Sequence, residues 1–425
     1  MPATLRNAWL GLRAHGVVPT LDRAWDFARR RWLAPRPDLQ LDMSGVPLRL
    51  PLAQTPRASI VVPVYNNLAC TLDCLRSIAA CGDATPFEVI VVDDASGDGT
   101  GEALPEVPGL RYLRNAVNSG FIRSCNAGAA QARGEYLVLL NNDTLVQPGW
   151  LDALLETFSR HPGTGLAGAC LLYPDGTLQE AGCVIFSDGR AGNYGRLDAA
   201  LDPRYGCVRE ADYCSGAAIA LPTALFARLD GFDELYRPAY YEDADLAMRI
   251  RQAGHAVRYQ PLSRVVHLEG VTSGVSEEGG VKAYQRTNRF KFAERWAAEL
   301  QRFPAWGTPR DLAAKRGERV LLVLPAPDPR GLARLDAFRD RDGAAPATSV
   351  LVERGQFPPS VTRRLQGEGI EVWQGFWSAF PRGWVRRHGS RFDRVELAEG
   401  RRLARYRRWF ARYAPEVPVR VDGDA

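Results

Sequence analysis

The sequence predicts an α/β fold, a parallel sheet covered by helices, followed by a second, smaller α/β unit. Three observations predict it. Short runs rich in Val, Ile and Leu, bounded by turn formers, fit strands covered on both faces. Segments of helical spacing alternate with them, the pattern that gives right-handed crossovers in a parallel sheet. At 425 residues the chain exceeds one typical core, so two or three structural units are expected.

Residues 1–57 hold one amphipathic segment, about Thr20 to Leu33, with Leu21, Trp25, Phe27, Trp32 and Leu33 among Arg23, Arg29, Arg30 and Arg31. A helix of that pattern either lies on an anionic membrane surface or packs on its own protein. Prolines at 35, 37, 47, 51 and 56 mark a wrapping linker.

At Ala58 the pattern changes, and residues 58–314 read as the main unit. Ser59–Val64 is a buried strand, Tyr65-Asn66-Asn67 a turn, and Leu68–Ala80 a helix with Leu72, Leu75 and Ile78 on one face. Phe87–Val92 is a second strand that ends in Asp93 and Asp94 before a Ser-Gly-Asp-Gly turn. Leu110–Leu113 is a third, and a small-residue helix over Gly120–Ala132 leads to the strand Tyr136–Leu140. That strand stops at three polar side chains, Asn141, Asn142 and Asp143. Pro148 opens a helix to about Arg160, and residues 165–221 read as short strands and turns. Tyr213–Leu221 is read as a strand whose Ser215-Gly216 suggests close backbone approach to a ligand. Glu242 opens a helix that ends at Gly254, and His267 follows a strand over Arg264–Val266.

Composition narrows the function. Hydrophobic content of 46% and charge of 24% are those of a globular protein. No stretch approaches the roughly 20 apolar residues of a membrane span, and the first residues lack an apolar signal core. Export by the usual route is therefore not expected, and a cytoplasmic protein, peripheral to the membrane at most, is. The eight cysteines form no CxxC pair and read as buried and reduced. Net charge is uneven: residues 1–57 carry 9 basic and 4 acidic groups (+5), 58–314 carry 23 and 31 (−8), and 315–425 carry 22 and 14 (+8). An acidic middle argues against nucleic acid and suits a metal site; basic flanks point to an anionic surface or partner, or to solvated faces.

The chemistry-bearing residues sit at strand ends, where open α/β sheets bind ligands. Asp143 with its amide neighbours either holds a hard cation and a diphosphate or forms a solvated turn that caps the next helix. Asp94 either accepts hydrogen bonds from a ribose hydroxyl or base N–H, or stabilises its turn. Glu242, Asp243 and Asp245 crowd one helical turn; the helix dipole favours acids there, but three exceed what capping needs. Crowded carboxylates raise one another's pKa, which suits one of them to act as a base. His267 either joins Asp143 as a metal ligand or is a satisfied histidine at a strand end. No GxGxxG follows the first strand and no GxxxxGK[ST] occurs, which disfavours a Rossmann dinucleotide site and a P-loop.

Taken together, IVVPVYN (60–66), VVDDASGDGT (91–100), NSGFIRSCNAG (118–128), GEYLVLLNNDT (134–144), GFDE (231–234), YYEDADLAMRIRQAG (240–254) and then His267 resemble family-2 glycosyltransferases of the GT-A fold. The resemblance is closest to the rhamnosyltransferase-like branch that has Asn-Asn-Asp-Thr where relatives have Asp-x-Asp, and it covers roughly residues 58–300. It implies that Pro63, Tyr65 and Asp94 contact nucleobase and ribose, with Asn118, Gly120 and Asn142 near the donor. It implies Mg²⁺ or Mn²⁺ on Asp143 and His267, with Asn141 an indirect ligand. Asp243 would be the base of one inverting displacement; Glu242, Asp245 and Gly216 would serve the acceptor side. Arg249 and Arg251 would either meet the phosphates or be ordinary surface residues. The implied donor is a UDP- or dTDP-sugar, such as rhamnose, and the acceptor a hydroxyl of a glycan or lipid-linked glycan in cell-surface polysaccharide synthesis. The alternative is a non-catalytic scaffold that binds nucleotide-sugar. Nucleotidyl transfer is disfavoured because Val62-Pro-Val-Tyr-Asn lacks a Gly-rich, Lys-containing signature.

From Lys315 to Ala425, strands at Arg319–Leu324, Ser349–Val352, Gly369–Trp373, Phe392–Leu397 and Val417–Val421, with a helix at Ala333–Arg339 and a basic helix at Arg401–Tyr413, form the small unit. It is similar to the N-terminal half of a GT-B glycosyltransferase cut short before the nucleotide-binding half, which implies partner or acceptor binding without catalysis.

Overall fold

Seven residues in a row, Ala58–Val64, are buried and form strand β1. Alternate side chains of a strand point to opposite faces, and here both faces are covered. Val61 joins Ile90, Leu137 and Leu139 in one core, whereas Ile60 and Val62 join Val89, Val91, Val138 and Leu140 in another. β2 (Phe87–Asp93) and β4 (Tyr136–Leu140) flank β1, and β3 (Leu110–Arg114) lies beyond β2, all parallel. Helices α1 (Leu68–Ala80) and α3 (Trp150–Arg160) bury Leu75, Ile78, Trp150 and Leu154 on one face. α2 (Phe121–Ala129) and α5 (Glu242–Gln252) bury Ile122, Cys125, Leu246 and Ile250 on the other, with α4 (Thr223–Arg228) between them in sequence. This computed structural model describes residues 34–421 except 40, 42, 44, 270–283, 315, 316, 342–346, 379, 380 and 399; the amphipathic segment of residues 20–33 lies outside the described residues.

The main sheet is mixed rather than parallel throughout. Its ten strands add β5 (Thr144–Val146), β6 (Thr164–Leu172), β7 (Leu178–Glu180), β10 (Arg209–Glu210), β11 (Ala218–Pro222) and β12 (Ala256–His267), in the order β10-β12-β6-β11-β4-β1-β2-β3, with β5 on β12 and β7 on β6. β11 is antiparallel to both β4 and β6. A two-stranded ribbon, β8 (Cys183–Ile185) with β9 (Ala191–Asn193), stands apart. The expected strand over Tyr213–Leu221 begins only at Ala218. The amides of Ser215 and Gly216 donate to the carboxylates of Glu180 and Asp243 instead of to a neighbouring strand.

The C-terminal residues form a separate, all-parallel sheet. β13 (Arg319–Leu324), β14 (Ala347–Val352), β15 (Glu371–Trp373), β16 (Arg394–Leu397) and β17 (Val419–Val421) run in the order β15-β14-β13-β16-β17. After α6 (Tyr284–Arg295) of the main unit come α7 (Pro329–Arg341), α8 (Pro359–Gly367), α9 (Pro381–His388) and α10 (Leu403–Tyr413). Helices α8 and α9 were not anticipated: α8 buries only Leu365 and Gly367 of its nine residues, too few to show a period. The two sheets are joined where Val208 N donates to Gln366 O at 2.9 Å and His161 Nε2 meets Gly367 O at 2.9 Å. All eight cysteines are free thiols, seven of them buried.

Candidate functional site

A cavity of about 720 Å³ opens at the carboxyl ends of β1, β2 and β4. Pro63, Tyr65, Asp94, Asn118 and Gly120 line one end, Asn141, Asn142, Asp143 and His267 the middle, and Gly216, Glu242 and Asp243 the other end. Residues from seven separated segments thus meet at one place.

At the first end, the turns after β1 and β2 are tied together. Asn66 N donates to Ser96 Oγ at 2.8 Å, and Gly97 N donates to Asn66 Oδ1 at 2.9 Å. Asn66 and Asn67 have positive φ, which asparagine tolerates better than most residues. The Tyr65 ring is left 43% exposed at the rim, free to cover a planar ligand. The Asp94 carboxylate accepts from Asn115 Nδ2 (2.7 Å), Ser119 N (2.8 Å) and Gly120 N (2.8 Å). It therefore shapes the 115–120 loop as well as lining the cavity. Gly120 has φ 87°, and a Cβ there would lie 3.3 Å from Pro238, so glycine suits this close approach.

In the middle, pairing creates the site. β5 runs antiparallel to β12 with Thr144 opposite His267, and Leu268 N donates to Asp143 O at 3.0 Å. Two side chains far apart in sequence are thereby brought together: His267 Nε2 lies 3.2 Å from Asp143 Oδ1. His267 Nδ1 lies 2.8 Å from Gln179 Oε1, an acceptor, so Nδ1 carries the proton. In the neutral ring the Nε2 lone pair then faces a carboxylate, an arrangement that needs a proton or a cation between them. Asn141 Oδ1 is buried without a hydrogen-bond partner beside them. Asn142 is different, since its Nδ2 donates to Thr71 Oγ1 at 3.0 Å and anchors the turn to α1. A carboxylate, an imidazole nitrogen and an amide oxygen fit a divalent cation whose remaining ligands are waters or phosphate oxygens. Among the described residues no three His, Cys, Asp or Glu side chains converge, so the protein part of such a site is sparse.

At the far end, Tyr240 and Tyr241 both have positive φ (75° and 74°), an uncommon pair that turns the chain sharply into α5. Glu242 and Asp243 follow directly and face the cavity. Burial, then the Asp243 charge, pushes the Glu242 carboxyl well above the ordinary carboxylate range, and Glu242 Oε2 has no hydrogen-bond partner. Burial also raises Asp243, against which the amides of Gly216 (3.2 Å) and Ala244 (2.7 Å) donate to its oxygens. The two amides thus favour charge on Asp243 over Glu242, which has no such donor at Oε2.

Asp245 does not join them. Two residues further round a helix is roughly 200° of rotation, and Asp245 points into the core with no exposure. It accepts from Tyr236 Oη (3.1 Å), Trp296 Nε1 (3.0 Å) and Arg249 Nε (2.7 Å). Arg249 also donates to the carbonyls of Leu229 and Gly231, and Arg251 to those of Ala211 and Asp212. Neither arginine lines the cavity; both fasten loops.

Glu180 escapes sequence reading. It ends β7, is 1% exposed, lines the cavity and accepts from Ser215 N at 2.9 Å, while its Oε2 has no partner. Burial, then the nearby Asp243, raises its carboxyl to about 7. Gln179, which orients His267, is its neighbour in sequence. Arg196 and Glu269, ion-paired at 2.9 Å, stand at the cavity wall. An acid in a short strand after an Asp-Gly turn carries no motif, so only the fold reveals it.

Residues 59–200 match Glycosyl transferase family 2. An uncharacterised protein of Sinorhizobium fredii is 30% identical over 281 residues, 64% of this chain and 31% of that one. An O-antigen biosynthesis protein of Myxococcus xanthus is 32% identical over 234 residues, 53% of this chain and 18% of that one. An N-acetylglucosaminyl-diphospho-decaprenol L-rhamnosyltransferase of Mycobacterium tuberculosis is 28% identical over 258 residues, 53% of this chain and 83% of that one. The chain spans less than a third of the length of the first two. Among the described residues no helix is long and apolar enough to cross a membrane.

Proposed function

We propose, from the match of residues 59–200 to Glycosyl transferase family 2, that this chain transfers a sugar from a nucleoside-diphosphate donor to a hydroxyl of a glycan or lipid-linked glycan. The observation that carries the reading is the facing pair Asp143 and His267, which lines the same cavity as the Glu242 and Asp243 carboxyl groups. Tyr65 and Asp94 hold the nucleoside, and Asn118 and Gly120 border it. Asp143 and His267, with Asn141 Oδ1, would hold Mg²⁺ or Mn²⁺, a cation that would offset the charge of the diphosphate. Asp243 takes the acceptor hydroxyl proton as the acceptor oxygen bonds to the anomeric carbon. The bond from that carbon to the diphosphate breaks on the opposite side, its electrons leave with the diphosphate, and the anomeric centre inverts. Gly216 N–H holds the Asp243 carboxylate in line. The similarity to a rhamnosyltransferase and an O-antigen biosynthesis protein supports a rhamnosyl donor and a role in cell-surface polysaccharide synthesis; the donor nucleotide we propose is deoxythymidine or uridine diphosphate. A GT-A fold and a cytoplasmic site of action belong to the same reading.

The test is thermal-shift screening against UDP- and dTDP-sugars with Mn²⁺, followed by donor hydrolysis and transfer. Asp243→Asn is expected to lower transfer by about 10²–10⁴-fold and to leave donor-induced stabilisation intact. Loss of both together removes Asp243 from the base role. Stabilisation of the wild-type protein without hydrolysis or transfer would favour a binding scaffold, a reading that Asn141 in place of an acid supports.

A further inference from the structure

Helix α10 carries a feature the transferase reading does not use. Residues 401–412 contain six arginines and no acidic residue. The inner face of the helix is fixed by Tyr406 and Phe410, buried in the core with Trp384 and Val385 of α9. Arg405, Arg408 and Arg412 recur at i, i+3 and i+7, so they form one outward stripe, and all three are exposed. Among the described residues no acidic side chain pairs with any of them.

Two half-buried aromatic rings border this stripe. Arg405 Cζ lies 5.9 Å from the Trp409 ring centroid, and Arg412 Cζ lies 5.6 Å from that of Tyr413. Arg382 of α9 donates to Tyr413 Oη through Nε (3.3 Å) and Nη2 (3.2 Å), which adds a fourth cation beside the stripe. The Tyr413 phenol senses the positive field: Arg382, then Arg412 and Arg386, hold it below its ordinary value.

We propose that the outer face of α10 docks on an anionic phospholipid bilayer. Guanidinium groups with bordering Trp and Tyr suit the headgroup layer, where phosphates accept and amphipathic rings settle. Single-stranded nucleic acid fits less well, because bases stack on open aromatic faces and Arg405 and Arg412 already cover these rings. The charge balance agrees: +8 (22 − 14) over residues 315–425 and −8 (23 − 31) over 58–314 turn the C-terminal unit toward a negative surface. The inference stands apart from the transferase reading.

Co-sedimentation of the full chain tests it, with vesicles of phosphatidylcholine containing phosphatidylglycerol against pure phosphatidylcholine. Binding to the anionic vesicles alone, released by salt, is expected. Arg405→Gln, Arg408→Gln and Arg412→Gln together should weaken it by about a hundredfold, at about one decade or less per charge. The matching triple change to Lys should keep it. A thermal melt checks that each variant is folded, and Arg408→Gln alone, expected to cost about fivefold, replaces the triple Gln variant if that one is not. No binding, equal binding to both vesicle types, unchanged binding by the Gln variants, or binding to DNA without binding to vesicles each overturns the proposal.

Discussion

Consecutive amides of one turn hold two carboxyl groups: Ser215 N–H points to Glu180 and Gly216 N–H to Asp243. That turn therefore couples the two acids. Glu180 has an ordinary value of 4.5 raised to about 7, so between those pH values the folded chain holds a proton that the unfolded chain has released. Stability from this group is full below about 4.5 and falls as pH rises through 7, by roughly 3 kcal/mol in total. Melting in Glu180→Gln is expected to vary less between about pH 3.5 and 8 (roughly one pH unit beyond each end of the change) than in wild type; equal slopes would place the proton elsewhere. Asp94, Asn141 and Asp143 are legible in the sequence because each ends an apolar run. Glu180 is not, since its meaning comes from Ser215 and Asp243, which only folding brings near.

Among the elements, α5 shows how one turn of helix divides its acids. Glu242 and Asp243 face the cavity, while Asp245 is enclosed by Tyr236, Trp296, Arg249 and Arg295. Three acids in one helical turn point to one site, but the helical angle from Asp243 sends Asp245 into the core. Asp245→Ala leaves Arg249, 12% exposed, without its carboxylate, and breaking such a buried pair costs roughly 3–5 kcal/mol. A denaturant titration checks this. Unchanged stability with selective loss of transfer would return Asp245 to the acceptor side. The parallel half of the sheet, β4-β1-β2-β3, is legible from its apolar runs alternating with helices. The antiparallel insertion of β11 is not, because short strands between loops leave direction open.

For the molecule as a whole, two sheets share a polar seam. Arg204, 6% exposed, pairs with Asp198, Asp202 and Asp311 at 2.9, 2.9 and 3.1 Å. Burial pushes Asp311 up, but Arg204 and Arg391 outweigh it and hold the carboxyl near 2. Arg391 comes from the C-terminal unit, so that unit contributes to the charge balance of the first. We expect the full chain to melt in one transition and a chain ending at residue 314 to melt about 5 °C lower, which corresponds to a loss of about 2 kcal/mol. Two separate transitions in the full chain would show that the seam does not couple them. Strands in the C-terminal unit were legible from their apolar runs, whereas nothing in either segment alone announces the seam.

The thiols make the donor end observable. Seven of eight cysteines are buried, and burial raises thiols such as Cys74 (to about 12) and Cys125 further from reactivity. Cys70 alone is partly open, on α1, close enough to Asp143 to feel its charge. A thiol reagent should therefore count one group in the native chain and eight in urea; more than one in the native chain would mean the core opens. The chain thus carries a single native attachment point for a fluorophore on α1, within reach of the Asp143 charge, where occupancy can be read optically without a substitution.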